Sequence, residues 1–335
     1  MNFPKQTVTS KDVAKLAGVS QSTVSRVFVP GSSVSDKTKQ KVFEAAKALN
    51  YRPNAFARSL TTNESKLIGL VFPDADYPIH MKTLQLISTE LQKMGYSAVL
   101  IPWQVDGDDQ HSIPNIFQYR VDGVIAASAT FNKSLYEECE EFNIPIVQYA
   151  RVVEGTKSSY VVSDNYEAGQ QAAQRLNDNG MTNVVYLTGE VPTFTNDERQ
   201  TGFSSEFEDL TGKAPRIVEA TYDYASSLNK IREMLTDKNR PEAVFCATDN
   251  LAMALMDVAR IEYGIRIPQD LQVIGFDNIP QAEWLSYQLT TFRQDFRRLA
   301  RECVKIIVDQ INNKNSSLVK MMVPAKLIER NTTKR

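Results

Sequence analysis

The chain has 335 residues, of which 42% are hydrophobic and 23% charged, and its formal net charge is −2. This length allows two or three domains with buried cores, and the composition is that of an ordinary globular protein. No apolar run is long enough to cross a bilayer and the N-terminus lacks a secretory signal, so we expect a cytoplasmic protein without membrane association. Cys139, Cys246 and Cys303 are widely spaced without a CxxC pair, which argues against a disulfide framework and a structural zinc site.

Residues 8–28 predict two short amphipathic helices joined by a tight turn. Thr9 or Ser10 can cap the first helix, and Gly18 can adopt the left-handed conformation that ends it. Three apolar positions of this helix fall on one face: Val13, Leu16 and Ala17. Two short helices with a glycine turn are a device for placing side chains in a DNA groove.

The second helix can be capped by Ser20, and its residues divide into an apolar and a polar face. Apolar side chains recur at i, i+3 and i+4, at Val24, Val27 and Phe28. The opposite face is entirely polar and consists of Gln21, Ser22, Ser25 and Arg26. Amide and hydroxyl groups can read base edges and an arginine can contact guanine, so this face is typical of a recognition helix. The alternative is a helical bundle without DNA contact, because such bundles also have polar outer faces.

A third helix is predicted over residues 34–49, with a Ser35 cap and one apolar stripe, and it can close a three-helix unit. Up to residue 62, ten basic residues stand against three acidic ones, a balance of about +7. The rest of the chain must then carry about −9. A basic N-terminal unit on an acidic body favours nucleic acid binding through the N-terminal unit alone.

Residues 54–60 predict a short helix between this unit and the rest of the chain. Seven residues are too few for a stable isolated helix, so we expect it to be ordered when it packs against DNA and a second copy of itself. The alternative is a plain flexible linker. Ala57 and Leu60 at helical spacing weaken that alternative, since a linker would prefer glycine and serine.

From residue 67 onward, runs rich in Val, Ile and Leu alternate with stretches of helical periodicity. The predicted strands are 67–72, 97–102, 121–128, 144–150, 183–189, 243–249 and 271–277, with a further strand within 319–330. Such runs separated by helices indicate parallel sheets covered on both faces. Ligands bind these sheets beyond the carboxyl ends of the strands, where the sequence has Asp74, Arg151, Asp249 and Asp277.

The motifs, in this order and spacing, resemble the lactose-repressor (LacI/GalR) family of bacterial transcription regulators from end to end. They are DVAKLAGVSQSTVSRV at 12–27, VSDKTKQKV at 34–42, LNYRPNAFARSL at 49–60, IGLVFPD at 68–74, RVDGVI at 120–125, VIGFDNIP at 273–280 and LTTFRQDF at 289–296. The resemblance implies an N-terminal all-α helix-turn-helix head with a hinge helix, followed by an α/β core like that of periplasmic binding proteins, with two parallel-sheet subdomains.

The resemblance also implies domain boundaries. The helix-turn-helix domain would span 1–49, the hinge helix and linker 50–65, and the effector-binding and dimerisation core 66–335. Three crossovers near 162–165, 290–294 and 322–324 would divide the core. Subdomain 1 would comprise about 66–162 and 293–322, and subdomain 2 about 163–292 and 323–335.

For DNA, the resemblance assigns residues by position. Gln21 and Ser22 match the two recognition-helix positions that vary between members and select the operator, and Arg26 matches the family arginine near the end of that helix. Phosphate contacts would come from Ser20, Thr23 and Ser25. In the hinge, Leu60 matches the leucine wedged into the minor groove, with Asn54 and Ala57 beside it. Two hinges that meet at a dyad require a homodimer and a palindromic operator.

For a small-molecule effector, the resemblance assigns a cleft lined from several loops. The residues are Asp74, Pro78 to His80, Arg151, Asp164, Arg199, Tyr224, Asp249, Asp277, Trp284 and Gln294. Arginines and carboxylates can hold vicinal hydroxyls and an aromatic face can cover a sugar ring, so the set fits a polyol. For a single aspartate after a strand, a helix cap or a surface charge is an equally good interpretation.

Three features depart from the family pattern. Ala150 stands where many members have an aspartate, Thr248 replaces the usual asparagine before Asp249, and residues 103–119 look shorter and irregular. The ligand of a well-known member therefore cannot be transferred. Arginines placed among several aspartates favour a neutral sugar over a phosphate ester.

The predicted function is therefore a repressor whose operator affinity a bound sugar or sugar derivative changes, through a change in the angle between the subdomains. In the family, effectors more often lower the operator affinity, as inducers, than raise it. No cofactor is implied. A sugar-processing enzyme is disfavoured because there is no glycine-rich phosphate loop or nucleophile elbow, and a solute-binding protein because of the basic head and missing signal. No leucine heptads follow residue 330, so a dimer without a tetramer tail is expected.

Overall fold

The chain divides into two units, Met1–Ser65 and Lys66–Arg335. The computed structural model describes residues 8–28, 32–52, 64–72, 78–102, 118–127, 133–190, 193–313 and 316–334. The predicted hinge helix at 54–60, with Asn54, Ala57 and Leu60, lies outside the described residues, as do Asp74 and most of the irregular segment 103–119. Their assignments stay predictions.

The described residues of the N-terminal unit form three helices: α1 (Ser10–Ala17), α2 (Gln21–Val27) and α3 (Asp36–Ala48). Helix α1 begins with a capping box, in which the Thr9 amide and hydroxyl both donate to the Asp12 carboxylate at 2.8 and 2.7 Å. It ends at Gly18, whose φ of 66° is left-handed as predicted. The helices enclose a core that includes Val13, Val24 and Val42, each with no exposed surface.

The apolar face predicted for α1 is only partly buried. Leu16, which shares that face with Val13 and Ala17, has 56% of its surface exposed. The buried position on that side belongs to Ala14, which is 6% exposed. Val13 and Ala14 fill the space over α3, because a helix of eight residues can direct only a narrow stripe at its neighbours.

The second unit is built on two six-stranded sheets. Sheet 1 has the order β11-β5-β4-β3-β1-β2 and sheet 2 the order β12-β10-β9-β8-β6-β7. The strands are β1 (Leu67–Phe72), β2 (Ser97–Pro102), β3 (Gly123–Ala126), β4 (Ile146–Tyr149), β5 (Ser159–Asp164), β6 (Val184–Gly189), β7 (Arg216–Ala220), β8 (Ala243–Cys246), β9 (Gln272–Asp277), β10 (Thr290–Arg293), β11 (Lys320–Pro324) and β12 (Lys326–Ile328). Neighbouring strands are parallel except for β10 and β12. The predicted pair of parallel sheets is confirmed.

Helices cover both sheets, which is why the strands read as continuous apolar runs. The described helices of this unit are α4 (Pro78–Lys93), α5 (Lys133–Glu141), α6 (Asn165–Asp178), α7 (Phe194–Thr211), α8 (Tyr224–Thr236), α9 (Asp249–Asp257) and α10 (Phe296–Asn312). A π-helical turn, Val258–Glu262, follows α9, and a 3₁₀ turn covers Pro280–Glu283. The residues Pro78 to His80, predicted in a loop, begin α4 instead.

The chain passes between the sheets three times, after β5, after β10 and between β11 and β12. The chain leaves β5, β10 and β11 at their carboxyl ends, so the three crossovers lie at the carboxyl ends of the strands. This arrangement places the carboxyl ends of both sheets next to a shared cleft. Three strands were missing from the predicted set, β5, β7 and β10, because β7 and β10 are short and half polar and β5 begins with polar residues.

Candidate functional site

Helix α2 presents a polar face that its own packing determines. Ser20 caps the helix, with its hydroxyl accepting from the Thr23 amide at 3.2 Å. Val24 and Val27 are buried at 0% and 6% exposure. The polar face of the helix, Gln21, Ser22, Ser25 and Arg26, is exposed, as predicted for a recognition surface, and Thr23 is half-buried.

Local hydrogen bonds orient this polar face. The Gln21 side-chain amide donates to the Ser10 hydroxyl at 3.0 Å, and Arg26 Nε lies 3.4 Å from the Ser22 carbonyl. These contacts use one donor of each side chain. The Gln21 carbonyl oxygen and the remaining guanidinium N–H bonds of Arg26 stay available for hydrogen bonds to base edges.

A cavity of about 100 Å³ lies between the two sheets of the second unit. Six of the predicted effector residues line it: Ile79, His80, Arg151, Arg199, Asp277 and Gln294. The carboxyl ends of strands from both sheets contribute, since Phe72 ends β1 and Asp277 ends β9. The cavity is therefore at the place that the open α/β sheet rule predicts.

Arg199 is the most constrained charged residue of the cavity, with 7% of its surface exposed. Its Nε and one terminal nitrogen lie 3.3 and 2.7 Å from Asn165 Oδ1, and the other terminal nitrogen donates to the Ala247 carbonyl. The guanidinium carbon lies 3.4 Å from the centre of the Phe276 ring. Burial lowers the pKa of this guanidinium. Three of the five N–H donors of an arginine are used, so two remain for a ligand.

Two helices approach closely enough to place Arg199 and Asn165 together. A Cβ atom at Gly169 on α6 would lie 2.3 Å from the Arg199 carbonyl, and one at Gly202 on α7 would lie 2.1 Å from the Tyr166 carbonyl. Both distances are shorter than any real contact, so glycine is required at this crossing. The crossing brings the start of α6 against the first turns of α7, where the two side chains meet.

Two sets of hydrogen bonds cross the cleft. Arg151, which follows β4 of sheet 1, donates to the Thr193 hydroxyl at the start of α7 at 2.9 Å. The Ser163 hydroxyl of β5 donates to the Gln294 carbonyl oxygen at 2.7 Å, and the Gln294 amide donates to Asp277 of β9 at 2.6 Å. A ligand that competes for these donors and acceptors would change how the two halves are held together.

The backbone around the cleft is also unusual. Ala150, Asp277 and Asn278 have φ values of 57°, 116° and 51°, all in the left-handed region that L residues rarely adopt. Strained backbone of this kind concentrates at binding and switch sites. It aims Arg151 and Asp277 into the cavity.

Four other predicted effector residues do not line the cavity. Asp249 has no exposed surface and accepts from the Ile279 amide at 2.9 Å and the Thr291 hydroxyl at 2.6 Å, and burial raises its pKa well above the usual range. Asp164 caps α6 by accepting from the Glu167 amide at 3.0 Å. Asp164 matches the helix-cap interpretation of an aspartate after a strand, whereas Asp249 is neither a cap nor a surface charge but a buried acceptor beside the Thr248 cap.

The two predicted aromatic residues also lie elsewhere. The Tyr224 hydroxyl donates to Asp257 at 2.8 Å, and Trp284 is 55% exposed. In their place Tyr222 lines the cavity, two residues beyond the end of β7. Among the described residues, the Tyr222 hydroxyl is buried without a hydrogen-bond partner, as a group that awaits a ligand would be. Recognising β7 in the sequence would have pointed to Tyr222.

Several further lining residues carried no sequence signal. Asn165, Thr195 and Asn196 lie on helices and line the cavity by virtue of the α6–α7 crossing. Thr248, one of the departures from the family pattern, also lines it and caps α9. Within the described ranges, no group of three or more His, Cys, Asp or Glu could hold a metal ion, and no helix could span a membrane.

Two family models match the chain. One, described as bacterial regulatory proteins, lacI family, matches residues 9–54, and the other, described as periplasmic binding protein-like domain, matches residues 173–333. The HTH-type transcriptional repressor PurR of Mannheimia succiniciproducens is 30% identical over 331 residues, 98% of this chain and 99% of the relative. The repressor of the same name from Yersinia enterocolitica is 32% identical over 327 residues, 96% of each chain.

Solved structures match as well. The Lac repressor dimer bound to operator and the anti-inducer ONPF superposes with a TM-score of 0.86 at 26% identity, over 98% of this chain and 100% of that one. A complex of the transcriptional regulator CelR with cellobiose gives a TM-score of 0.72 at 26% identity, over 97% and 99%.

Proposed function

The chain belongs to the lacI family of bacterial regulatory proteins, and from this we propose that it represses transcription as a cytoplasmic homodimer bound to a palindromic operator. A small sugar or sugar derivative in the cleft of the second unit changes the operator affinity. The observation that carries the DNA part is the exposed polar face of α2, with Gln21, Ser22, Ser25 and Arg26 directed away from a closed core.

The N-terminal unit supplies both the sequence specificity for the operator and the general electrostatic attraction to DNA. Gln21 and Ser22 select bases, Arg26 contacts guanine, and Ser20, Thr23 and Ser25 bind phosphates. The balance of about +7 up to residue 62 favours duplex DNA over other partners. Asn54, Ala57 and Leu60 are proposed to enter the minor groove at the centre of the operator.

The cavity chemistry supports the effector part. Two arginines, one carboxylate, three amides and an unpartnered Tyr222 hydroxyl converge on one space, which suits a molecule with several hydroxyl groups. A volume of about 100 Å³ is small against the roughly 300–1,000 Å³ of pockets for drug-sized ligands, so the ligand is of monosaccharide size. The CelR complex shows that a related regulator binds a sugar.

The contacts across the cleft provide the mechanism. A sugar that takes hydrogen bonds from Arg151 or Gln294 changes the two sets that hold the halves together, Arg151 to Thr193 and Ser163 through Gln294 to Asp277. The angle between the halves then shifts, and with it the spacing of the two hinges in the dimer. Such coupling is typically worth about 1–3 kcal/mol, a change of about 5- to 150-fold in operator affinity.

An exposed apolar surface supports the homodimer. Ile261 and Leu285 are 80% and 95% exposed, and Trp284 lies beside Leu285. Arg260 donates to the Ser286 carbonyl, so the turn with Ile261 lies against the loop with Leu285. Exposed apolar residues grouped in this way are typical of protein interfaces. The Lac repressor, which is similar over the full length, is a dimer on its operator.

The test begins with operator selection from random duplexes by the purified chain, followed by footprinting at low salt with and without candidate sugars. We expect an inverted repeat to be protected and one sugar to change the affinity. Deleting residues 1–65 should abolish DNA binding and leave the sugar-induced rise in melting temperature intact, since the second unit holds the cavity. Failure to protect any inverted repeat would refute the proposal.

The effector class has its own test. Thermal-shift screening of the full chain against neutral sugars, sugar acids and sugar phosphates should give a shift with one of them. A substitution of Arg199 by Lys keeps the charge but loses the fork that holds Asn165 and Ala247, and should weaken binding of that sugar at least about tenfold. Arg240→Lys, in the loop before β8, is the matched control. A shift only with a nitrogen heterocycle would overturn the sugar assignment.

A further inference from the structure

A second cavity of about 570 Å³ lies at the crossovers between the two halves of the second unit. Four basic residues line it, and we call this space the crossover groove: Lys82, Arg293, Arg297 and Lys326. All four are exposed. Within the described ranges, none of the four takes part in an ion pair.

Two of these cations are forced together by the sheet. In the antiparallel pair of β10 and β12, Arg293 lies directly opposite Lys326. Residues in this relation project from the same face with Cβ atoms roughly 5 Å apart, and like charges there destabilise the sheet. The other pairs of this ladder carry apolar or hydroxyl side chains, Phe292 with Leu327 and Thr291 with Ile328.

A third cation lies at an unfavourable position in its helix, close to the positively charged N-terminal end. Arg297 lies in the first turn of α10, which contains no acidic residue, and Arg298 follows it. The N-terminus of a helix carries partial positive charge, so anions stabilise this position and cations destabilise it. Lys82 on α4 faces the same groove from the neighbouring helix.

The two carboxylates of the groove, Asp277 and Asp295, neutralise only part of this charge, because four cations face them and leave a balance of about +2. Asp277 accepts from the Gln294 amide at 2.6 Å, and Asp295 caps α10 by accepting from the Arg298 amide at 3.0 Å. Cations therefore remain in excess in a space large enough for a small molecule.

We propose that the crossover groove binds a small phosphorylated molecule that carries more than one negative charge. Arg293 and Lys326 hold it from one half, and Lys82 and Arg297 hold it from the other. Each of the unfavourable placements becomes favourable when a multivalent anion is bound. A volume of about 570 Å³ lies within the roughly 300–1,000 Å³ of pockets for drug-sized ligands, so it fits a phosphorylated metabolite.

Binding of an anion in the crossover groove would be coupled to binding in the effector cleft. Asp277 and Gln294 line both cavities, and the Gln294 side chain joins the two halves. An anion that draws together cations from both halves favours one angle between them. The binding of the anion and of the sugar are then thermodynamically coupled, with equal effects in each direction.

The experiment is a calorimetric titration of the full chain with inorganic tripolyphosphate at constant ionic strength. Lys82→Gln/Lys326→Gln removes two groove cations, and Lys213→Gln/Lys238→Gln removes two exposed lysines elsewhere, so the two variants have the same net charge. The groove variant should bind at least about tenfold more weakly than wild type, and the control within about twofold, because charge-assisted hydrogen bonds are lost only in the former. The basic N-terminal unit is identical in all three proteins, so its binding cancels in the comparison.

Equal affinity of both variants, or no binding by wild type beyond that of inorganic phosphate, would overturn the proposal. Arg293→Gln provides an independent check if the double variant loses its circular dichroism spectrum, and it should weaken binding in the same direction. Parallel titrations with adenosine diphosphate and ribose 5-phosphate distinguish a nucleotide from a sugar phosphate. The compound that binds more tightly than tripolyphosphate identifies the class of ligand.

Discussion

Two buried charged side chains beside the cleft have opposite roles. Arg199 keeps unused donors and lines the cavity, whereas both oxygens of the Asp249 carboxylate are occupied by the Ile279 amide and the Thr291 hydroxyl. Gly275 accommodates this carboxylate, because a Cβ there would lie 2.2 Å from Asp249 Oδ1. Arg199 is thus available to a ligand, and Asp249 fixes β9, β10 and the turn that follows Asp277.

A pH dependence of stability follows from Asp249. Burial raises its pKa in the folded state, so between the unfolded pKa near 4 and the folded pKa the unfolded chain binds fewer protons. The contribution of Asp249 to the free energy of unfolding therefore falls as pH rises through this window, by up to about 1.4 kcal/mol per pH unit. In Asp249→Asn this loss should be absent, so the variant gains stability relative to wild type as pH rises above the unfolded pKa near 4.

Urea denaturation at several pH values measures this difference. The asparagine can still accept from Ile279 and can donate to the Thr291 hydroxyl, so the fold should persist. Asp178→Asn, at an exposed carboxylate near the end of α6, is the control. Parallel pH profiles for Asp249→Asn and wild type would contradict the interpretation.

At the scale of elements, the crossing of α6 and α7 builds the site. Gly169 and Gly202 let the two backbones touch, and this contact decides that Asn165 meets the Arg199 guanidinium. In the first unit, the recognition surface depends on local features of each helix and not on a helix crossing. There the caps at Thr9, Ser20 and Ser35 and the left-handed Gly18 set each helix locally, so the polar face of α2 follows from short-range sequence.

Gly202→Ala tests the crossing. The new Cβ would lie 2.1 Å from the Tyr166 carbonyl, so the helices must separate, at a cost of about 1–3 kcal/mol of stability. Separation should also displace Arg199 from Asn165 and weaken binding of the identified sugar at least about tenfold. Thermal melting with and without the sugar measures both effects.

Gly212→Ala at the end of α7 is the matched substitution. Its φ of 71° makes alanine unfavourable by about 1 kcal/mol, but nothing lies within 4 Å of the added Cβ. It should lower the melting temperature and leave sugar binding unchanged. Equal sugar affinity in both variants would show that the crossing does not position the site.

At the scale of the whole molecule, charge and apolar surface are distributed unevenly. The first 62 residues are basic by about +7 and the remainder acidic by about −9. Among the described residues of the second unit, Leu285 is the most exposed large apolar side chain, and it lies in a loop beside the turn that carries Ile261. Two copies joined there would carry two basic units on one assembly, as a palindromic operator requires.

Leu285→Glu should therefore convert the dimer to a monomer, because a charge cannot be buried unpaired in an interface. DNA affinity should fall by at least about tenfold, since two linked DNA-binding units gain from their effective concentration. Sedimentation velocity and fluorescence anisotropy with a duplex measure the two effects. Leu210→Glu, at a leucine of α7 that is 44% exposed, should change neither. A dimer that survives Leu285→Glu would exclude this surface as the interface.

Local sequence determined the helical head, with its caps, glycine turn and polar recognition face, and it determined the alternation of strands and helices. These features depend on contacts within a few residues and on short periodic patterns. It also placed Arg151 and Asp277 at strand ends, where a parallel sheet must bind its ligand.

Only the tertiary structure decided which residues reach the cleft. Asp249 and Asp164 follow strands as Asp277 does, yet the first is buried beneath β9 and the second caps α6. Tyr222 and not Tyr224 lines the cavity, because the direction of a side chain after a strand depends on how the next helix packs. The cations of the crossover groove come from three separate parts of the sequence, at Lys82, at 293–297 and at Lys326, and no local pattern can reveal a site that three crossovers bring together.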